Sequence, residues 1–172
     1  MSAVSDIALI ALFILIGGTF AAAEMALVTL RESQIRQLAA KGKRGRAIER
    51  LTGDPNRFLS AVQIGVTLSG FLSAAFGGAT LAAGLAPVFK GWGIPASVAD
   101  PLALVIITIV ISYFSIVIGE LSAKRLAMQR AEGFALALAP LVSGIASLAR
   151  PVIWFLGVST DAVVRVFGGD PK

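Results

Sequence analysis

Uncharged apolar runs dominate the pattern of hydrophobic and polar positions along the chain. Four of them contain no Asp, Glu, Lys or Arg: residues 7–23, 58–89, 101–119 and 133–149. About 20 residues of α-helix cross a bilayer, and a helix satisfies its own backbone hydrogen bonds there. The pattern predicts an all-α integral membrane protein with three transmembrane helices, at about residues 4–30, 58–85 and 101–122.

The fourth apolar run, at residues 133–149, allows two interpretations. It has only 17 residues, with Pro140 in its middle, and the stretch that follows, at 151–167, is apolar on one side only. The run is therefore either a short fourth span or the first arm of a helical hairpin lying at the inner membrane interface. We assign residues 126–167 to interfacial helices and keep the fourth span as the alternative.

The segment at residues 31–56 is amphipathic and basic. Ile35 and Leu38 are separated from Ile48 and Leu51 by the run Lys-Gly-Lys-Arg-Gly-Arg, which predicts two short helices joined by a basic turn. Such helices lie in the membrane surface, with Lys and Arg reaching lipid phosphates. Eight of the 15 cations lie in or directly after this segment, so the positive-inside rule predicts an N-terminus outside and a C-terminus inside.

Composition supports a membrane protein and narrows its chemistry. Apolar residues make up 56% and charged residues 15%, against roughly 45–50% and 25% in ordinary domains. The chain has no Cys and no His, so thiolate and imidazole metal ligands are excluded. The sequence also shows no pairing of a nucleophile with a base, so we do not predict an enzyme. A metal site must use oxygen ligands, which favours Mg²⁺, Ca²⁺, Mn²⁺ or Na⁺. The net charge of +5 follows from the basic segment and does not indicate nucleic-acid binding.

The third predicted span carries a line of small or hydroxyl-bearing positions. At helical spacing they form one stripe: Thr108, Ser112, Ser115, Gly119 and Ser122. Glu120 lies just off this stripe, and an acid in a span needs a partner or a function. We predict that Glu120 is an anionic cation ligand and that a helix break frees the Gly119 carbonyl. The alternative is that Glu120 only pairs with Lys124, four residues on.

Two other helices carry polar positions that could meet this stripe. In the second span, Gln63 and Thr67 share one face, and a Gln in lipid needs a hydrogen-bond partner, so both are predicted neutral ligands. In the first span, Glu24 can point into a helix bundle as a coupling or gating acid. The alternative for Glu24 is an interfacial residue paired with Arg31 or a loop lysine.

Three stretches resemble the transmembrane (DUF21) domain of the CNNM/CorC family, which is also described as hemolysin-related. The first, Phe20-Ala21-Ala22-Ala23-Glu24-Met25-Ala26-Leu27, is similar to the family pattern F-S-x-x-E-x-A-L. The second, residues 63–68 with the sequence QIGVTL, lies where the family has I-G-N-x-L. The third and most specific, residues 119–125 with the sequence GELSAKR, is similar to G-E-x-x-P-K-R.

The resemblance implies a homodimer of three-span protomers in a bacterial or archaeal plasma membrane, with a belt of helices on the cytoplasmic side. It implies Mg²⁺ export coupled to Na⁺, the ion lying in an inward-facing cavity near Gly119 and Glu120. It also implies a cytosolic CBS-domain pair and a small C-terminal domain beyond these 172 residues. The chain's last residues, 168–172, read like a linker to them.

Departures from the family pattern leave the transported species open. Ala21 replaces the family serine, Val66 and Gly70 replace asparagines, and Ala123 replaces the motif proline. These replacements remove oxygen ligands for Mg²⁺. The missing oxygens could be supplied by Ser112, by Ser115, by the polar residues of the second span or by retained water. The alternatives are a polyamine or organic-cation exporter that uses the same acid, and a non-transporting anchor or sensor for the cytosolic domains.

Overall fold

The computed structural model describes residues 3–170, which form helices joined by short connections. In chain order these are α1 Ala3–Thr29, α2 Glu32–Lys41, α3 Lys43–Gly53, α4 Pro55–Gly77, the π-helical turn π1 Gly78–Ala82, α5 Ala83–Gly91, α6 Ala96–Phe114, the π-helical segment π2 Ser115–Ser122, α7 Ala123–Gln129, α8 Ala131–Leu148 and α9 Arg150–Val166. The described range contains no strand, so the all-α prediction is confirmed. Of the linker-like end, residues 171 and 172 lie outside this range.

Four helices are long and apolar enough to cross a membrane. They are α1, the continuous helix Pro55–Gly91, the continuous helix Ala96–Gln129, and α8. The two continuous helices have 37 and 34 residues and exceed the predicted spans 58–85 and 101–122. The connection between the two continuous helices is only four residues, 92–95, because Pro87 and Pro101 lie inside helices and do not end them.

Helix α1 lies at the centre of the bundle, packed against α4, π2, α7 and α8. Glycine and alanine make up about half of its buried residues, and they let helix backbones approach closely in lipid. One close backbone approach joins α1 to π2, since a Cβ built on Gly18 would lie 3.2 Å from the Gly119 carbonyl oxygen. This contact fixes Gly119 and its neighbour Glu120 against the middle of α1.

At one end of the bundle, α2, α3 and α8 surround the ends of α1 and α4, and we call this the belt end. A single apolar core holds these helices together, and Leu27, Leu38, Ile48, Phe58 and Val142 belong to it. The two amphipathic helices predicted for residues 31–56 are confirmed. The turn between them is a single residue, Gly42, and not the whole basic run, because α2 ends at Lys41 and α3 begins at Lys43.

The last two helices differ in how they are packed. Helix α8 buries Ala135, Ala139, Val142 and Ala146 against α1, α3 and α4. Helix α9 buries no residue.

The third long helix continues to Gln129, so residues 126–129, which were assigned to the interfacial region, extend that helix.

Candidate cation site in the helix bundle

A small cavity lies where α1, α4 and π2 meet. Its volume is about 30 Å³, and its lining residues are Phe13, Ile14, Gly17, Val66, Ser69, Gly70, Ser115, Gly119 and Glu120. A space of roughly 10–15 Å³ holds one water molecule, so this cavity has room for a monatomic ion or about two waters. The structure therefore brings together three of the predicted site residues, Ser115, Gly119 and Glu120.

The π-helical segment explains why Ser115, Gly119 and Glu120 face the same cavity. Hydrogen bonds in a π-helix span five residues, which widens the turn so that positions i, i+4 and i+5 lie on one side. An ordinary α-helix would turn Glu120 away from the stripe that contains Gly119. The predicted helix break at Gly119 is wrong, because the helix runs without interruption from Ala96 to Gln129.

The polar groups that line the cavity have no partner among residues 3–170. Among residues 3–170, no hydrogen bond or ion pair involves the Glu120 carboxylate or the side-chain hydroxyls of Ser69 and Ser115. The alternative pairing of Glu120 with Lys124 is absent from this range. By contrast, the Ser73 hydroxyl one turn along α4 donates to the Ser69 carbonyl, at 2.9 Å. The cavity oxygens are thus available to a ligand.

The cavity lies deep in the bundle. Gly17, Ser69 and Gly119 are separated from the belt end of their helices by 12, 14 and 10 residues. At 1.5 Å per residue this places the cavity roughly 15–20 Å from that end. That depth is about half the hydrocarbon thickness of a bilayer, which is where transporters commonly hold their cargo.

Two predicted neutral ligands lie outside the cavity. Gln63 and Thr67 are exposed on the outer side of α4, where the Gln63 Nε2 donates to the Thr67 Oγ1 at 2.7 Å. Each therefore satisfies the other, and neither lines the cavity. Ser112 is also exposed, because it precedes the wide π turn that rotates Ser115 inward.

Glu24 lies on α1 between the cavity and the belt end. It is half-buried and follows Gly17 by two helical turns, or about 10 Å along the axis. In the part of the chain that the structure describes, Glu24 forms no ion pair, so the alternative pairing with Arg31 or a loop lysine is absent.

A buried acid near the start of α1 was not singled out from the sequence. Asp6 is only 9% exposed, and its Oδ1 is buried without a hydrogen-bond partner among residues 3–170. The available signal was a carboxylate placed just before a long uncharged run. Asp6 lies at the opposite end of α1 from the belt, so it does not belong to the cavity.

Comparison with known proteins identifies the family of this bundle. A family model described as the Cyclin M transmembrane N-terminal domain, CNNM, matches residues 7–172. The chain belongs to the CNNM family. Membership, together with the four apolar helices, makes this a multi-pass membrane protein.

Similar CNNM-family relatives come from several bacteria. The UPF0053 protein sll0260 of Synechocystis is 41% identical over 156 residues, which cover 90% of this chain and 35% of the relative. The UPF0053 protein YhdP of Bacillus subtilis is 30% identical, with 95% of this chain and 37% of the relative covered. The uncharacterized protein Rv1841c of Mycobacterium tuberculosis is 30% identical over all of this chain and 49% of the relative. This chain thus spans between a third and a half of their length.

The departures from the CNNM pattern fall partly on the cavity wall. Val66 and Gly70 line the cavity, so the two missing asparagine oxygens are missing from the site itself. Ala21 is fully buried on α1 and does not line the cavity. Ser69, which the sequence analysis missed, lies between Val66 and Gly70 and supplies a hydroxyl there. The signal for it was the stripe of Val66, Ser69, Gly70 and Ser73 at positions i, i+3, i+4 and i+7.

Proposed function

We propose that this CNNM domain carries a monatomic cation, Mg²⁺, through the cavity between α1, α4 and π2. The observation that carries the proposal is that one carboxylate, Glu120, and two hydroxyls, Ser69 and Ser115, converge on a small mid-bundle space and have no partner among the described residues. Glu120 provides the charge, and the hydroxyls provide neutral oxygen ligands. Hard cations prefer this set of ligands.

Water completes the proposed coordination. Mg²⁺ requires six oxygens at about 2.0–2.1 Å and gives up its hydration water reluctantly. Three side chains do not supply six ligands, and among the described residues no group of three or more acids could hold a metal. Six waters need at least about 60 Å³ by the same measure, twice the cavity volume of about 30 Å³. We therefore infer that the ion binds partly dehydrated, with one or two waters retained.

The size of the cavity favours Mg²⁺ over the alternative cargo. A diamine such as putrescine has four carbons between its two charged ends, which a space for about two waters does not accommodate. The non-transporting alternative assigned Glu120 to a pair with Lys124, and that pair does not form within residues 3–170. Export, and coupling to Na⁺, remain part of the proposal, with Glu24 as the coupling or gating acid on the path from the belt.

We further propose three spans, namely α1, Pro55–Gly91 and Ala96–Gln129, with the N-terminus outside and the C-terminus inside. The position of α8 beside α3 supports a belt role for α8, because Lys43, Arg44 and Arg50 line the space between them and would be costly at membrane depth. Helices α2, α3, α8 and α9 then form the cytoplasmic belt. We also propose a homodimer in a bacterial plasma membrane, CBS domains in the remainder of the protein, and no enzymatic activity.

A thermal-shift titration of the purified protein tests the cargo. A ligand that binds only the folded state stabilises it by RT ln(1 + [L]/Kd), so the rise in unfolding temperature measures the binding of each cation separately. We expect Mg²⁺ to raise the unfolding temperature in a saturable manner, Na⁺ to compete with it, and putrescine to have no effect. If only putrescine stabilises the protein, the cavity binds an organic cation and not Mg²⁺. If no cation stabilises it, the domain is better explained as a non-transporting membrane anchor for the cytosolic domains.

Restoring a family oxygen should strengthen Mg²⁺ binding. In Val66→Asn, an amide oxygen enters the cavity wall within reach of Glu120 and replaces one retained water. We expect the Mg²⁺ concentration for half-maximal stabilisation to fall about tenfold, or about 1.4 kcal/mol. Val66→Leu is the matched control, since the Leu side chain has the same number and branching of heavy atoms as Asn but no oxygen. If both variants bind Mg²⁺ equally well, Val66 does not face the ion.

A further inference from the structure

A basic groove runs along the contact between α3 and α8. Two neighbouring cavities, of about 220 Å³ and about 370 Å³, share Arg50, Ser143 and Ser147 among their lining residues. We call this continuous depression the seam groove. It lies at the belt end, separate from the cation cavity, and its larger part falls within the roughly 300–1,000 Å³ of small-molecule pockets.

Most of the charged side chains that line the seam groove are cationic. Five cations and one acid contribute a net charge of 5 − 1 = +4: Lys43, Arg44, Arg50, Arg57 and Arg150, with Asp54. Within the described residues, Asp54 forms no ion pair with any of the five. The seam groove therefore keeps its net positive charge within the described residues.

Arg57 gives the seam groove a directed donor. Its Nη2 donates to the Ser147 Oγ at 3.2 Å, while its Nε is buried without a hydrogen-bond partner. A buried guanidinium N–H without a partner is costly. An anionic oxygen beside Ser143 and Ser147 would satisfy it and would also meet Arg50, which lines both cavities. Guanidinium groups match phosphate in planar, two-point geometry.

The surroundings of the seam groove favour a phosphate group that is part of a lipid. Leu148, beside Ser147, is 84% exposed, and α9 continues from Arg150 with Val152 49% and Phe155 63% exposed. Helix α9 buries no residue, so it presents an apolar face directly next to a basic site. An amphiphile with an anionic head and apolar chains matches both features, and a free anion would use only one of them.

We propose that the seam groove binds the phosphate-bearing headgroup of an anionic phospholipid, with Arg50 and Arg57 as the main donors and the acyl chains lying along α9. The bound lipid would join α3 to the start of α9 and hold the belt at the membrane surface. This inference rests on the belt and not on the identity of the transported cation.

Lipid retention in detergent tests the proposal. Native mass spectrometry of the purified protein would compare phosphatidylglycerol with phosphatidylcholine of the same acyl chains, beside inorganic phosphate in a thermal-shift assay. We expect retention of the anionic lipid, and a loss of about fivefold in Arg50→Gln from the missing cation–phosphate contact. Arg46→Gln is the matched control, because Arg46 is an exposed cation on the same helix that lines neither cavity.

Each other outcome overturns the proposal in a recognisable way. Equal losses in Arg50→Gln and Arg46→Gln would mean diffuse surface attraction, and equal retention of both lipids would remove the need for an anionic headgroup. A thermal shift with inorganic phosphate that matches the lipid would assign the seam groove to a soluble anion. If Arg50→Gln does not purify, the exposed Arg150→Gln at the other wall should lose the anionic lipid to a similar extent.

Discussion

Glu120→Gln should abolish the stabilisation of the protein by Mg²⁺ and stop Mg²⁺ flux in proteoliposomes. The substitution keeps the size of the side chain and removes the only carboxylate among the described residues that line the cavity. At a Mg²⁺ concentration 100 times the wild-type Kd, binding stabilises the folded state by about 2.7 kcal/mol. We expect nearly all of this to be lost, because hydroxyls and water alone hold a divalent cation weakly.

The same substitution separates a ligand role from a structural one. An unpartnered carboxylate at the centre of a bilayer costs roughly 2.5–3.5 kcal/mol, so without cations Glu120→Gln should be at least as stable as the wild type. A structural role would instead lower stability in cation-free buffer. Glu49→Gln, at an exposed acid of α3, is the control and should leave the Mg²⁺ response unchanged. A full Mg²⁺ response in Glu120→Gln would place the ion elsewhere.

Gly45→Ala should destabilise the belt more than other small substitutions in it. A Cβ at Gly45 would overlap the carbonyl group of Leu38 and lie 2.7 Å from the backbone nitrogen of Ala39. These are backbone atoms of α2, so the two helices must separate and open the core around Ile48. Overpacking costs typically 1–3 kcal/mol, and we expect about 3 kcal/mol here, or a decrease of about 6–12 °C in the unfolding temperature.

Gly53→Ala provides the comparison for Gly45→Ala. Gly53 ends the same helix, and a Cβ there would meet nothing within 4 Å. Its unfolding temperature, measured in the same detergent, should stay within about 2 °C of the wild type, since surface substitutions change stability by at most about 0.5 kcal/mol. If Gly45→Ala behaves like Gly53→Ala, the close contact between α2 and α3 does not hold the belt together.

The position of the candidate cavity was predictable from a few residues, while the full set of residues that line it was not. Gly119 and Glu120 stood out because an acid in an apolar helix is costly, and their resemblance to the CNNM motif pointed to the same place. Gln63 and Thr67 were equally reasonable from composition, yet they lie on the outer side of α4. What separates them from Ser69 is the rotation of α4 about its own axis.

Two close contacts determine that rotation. A Cβ on Gly17 of α1 would lie 3.3 Å from the Ser69 Cβ, and a Cβ on Gly65 of α4 would lie 2.5 Å from the Phe20 ring. Both contacts join residues about 50 positions apart, so no local pattern contains them. They turn Ser69 and Val66 towards the cavity and leave Gln63 and Thr67 to pair with each other.

Local composition is enough to predict the apolar helices, the amphipathic basic helices and the restriction of any metal site to oxygen ligands. Each follows from transfer free energies and donor chemistry that act residue by residue. The wide turn at residues 115–122, which brings Ser115 and Glu120 to one wall, and the place of α8 beside α3 depend instead on the packing of the whole bundle. These features depend on which helix faces approach each other, and in lipid close packing between small residues decides that.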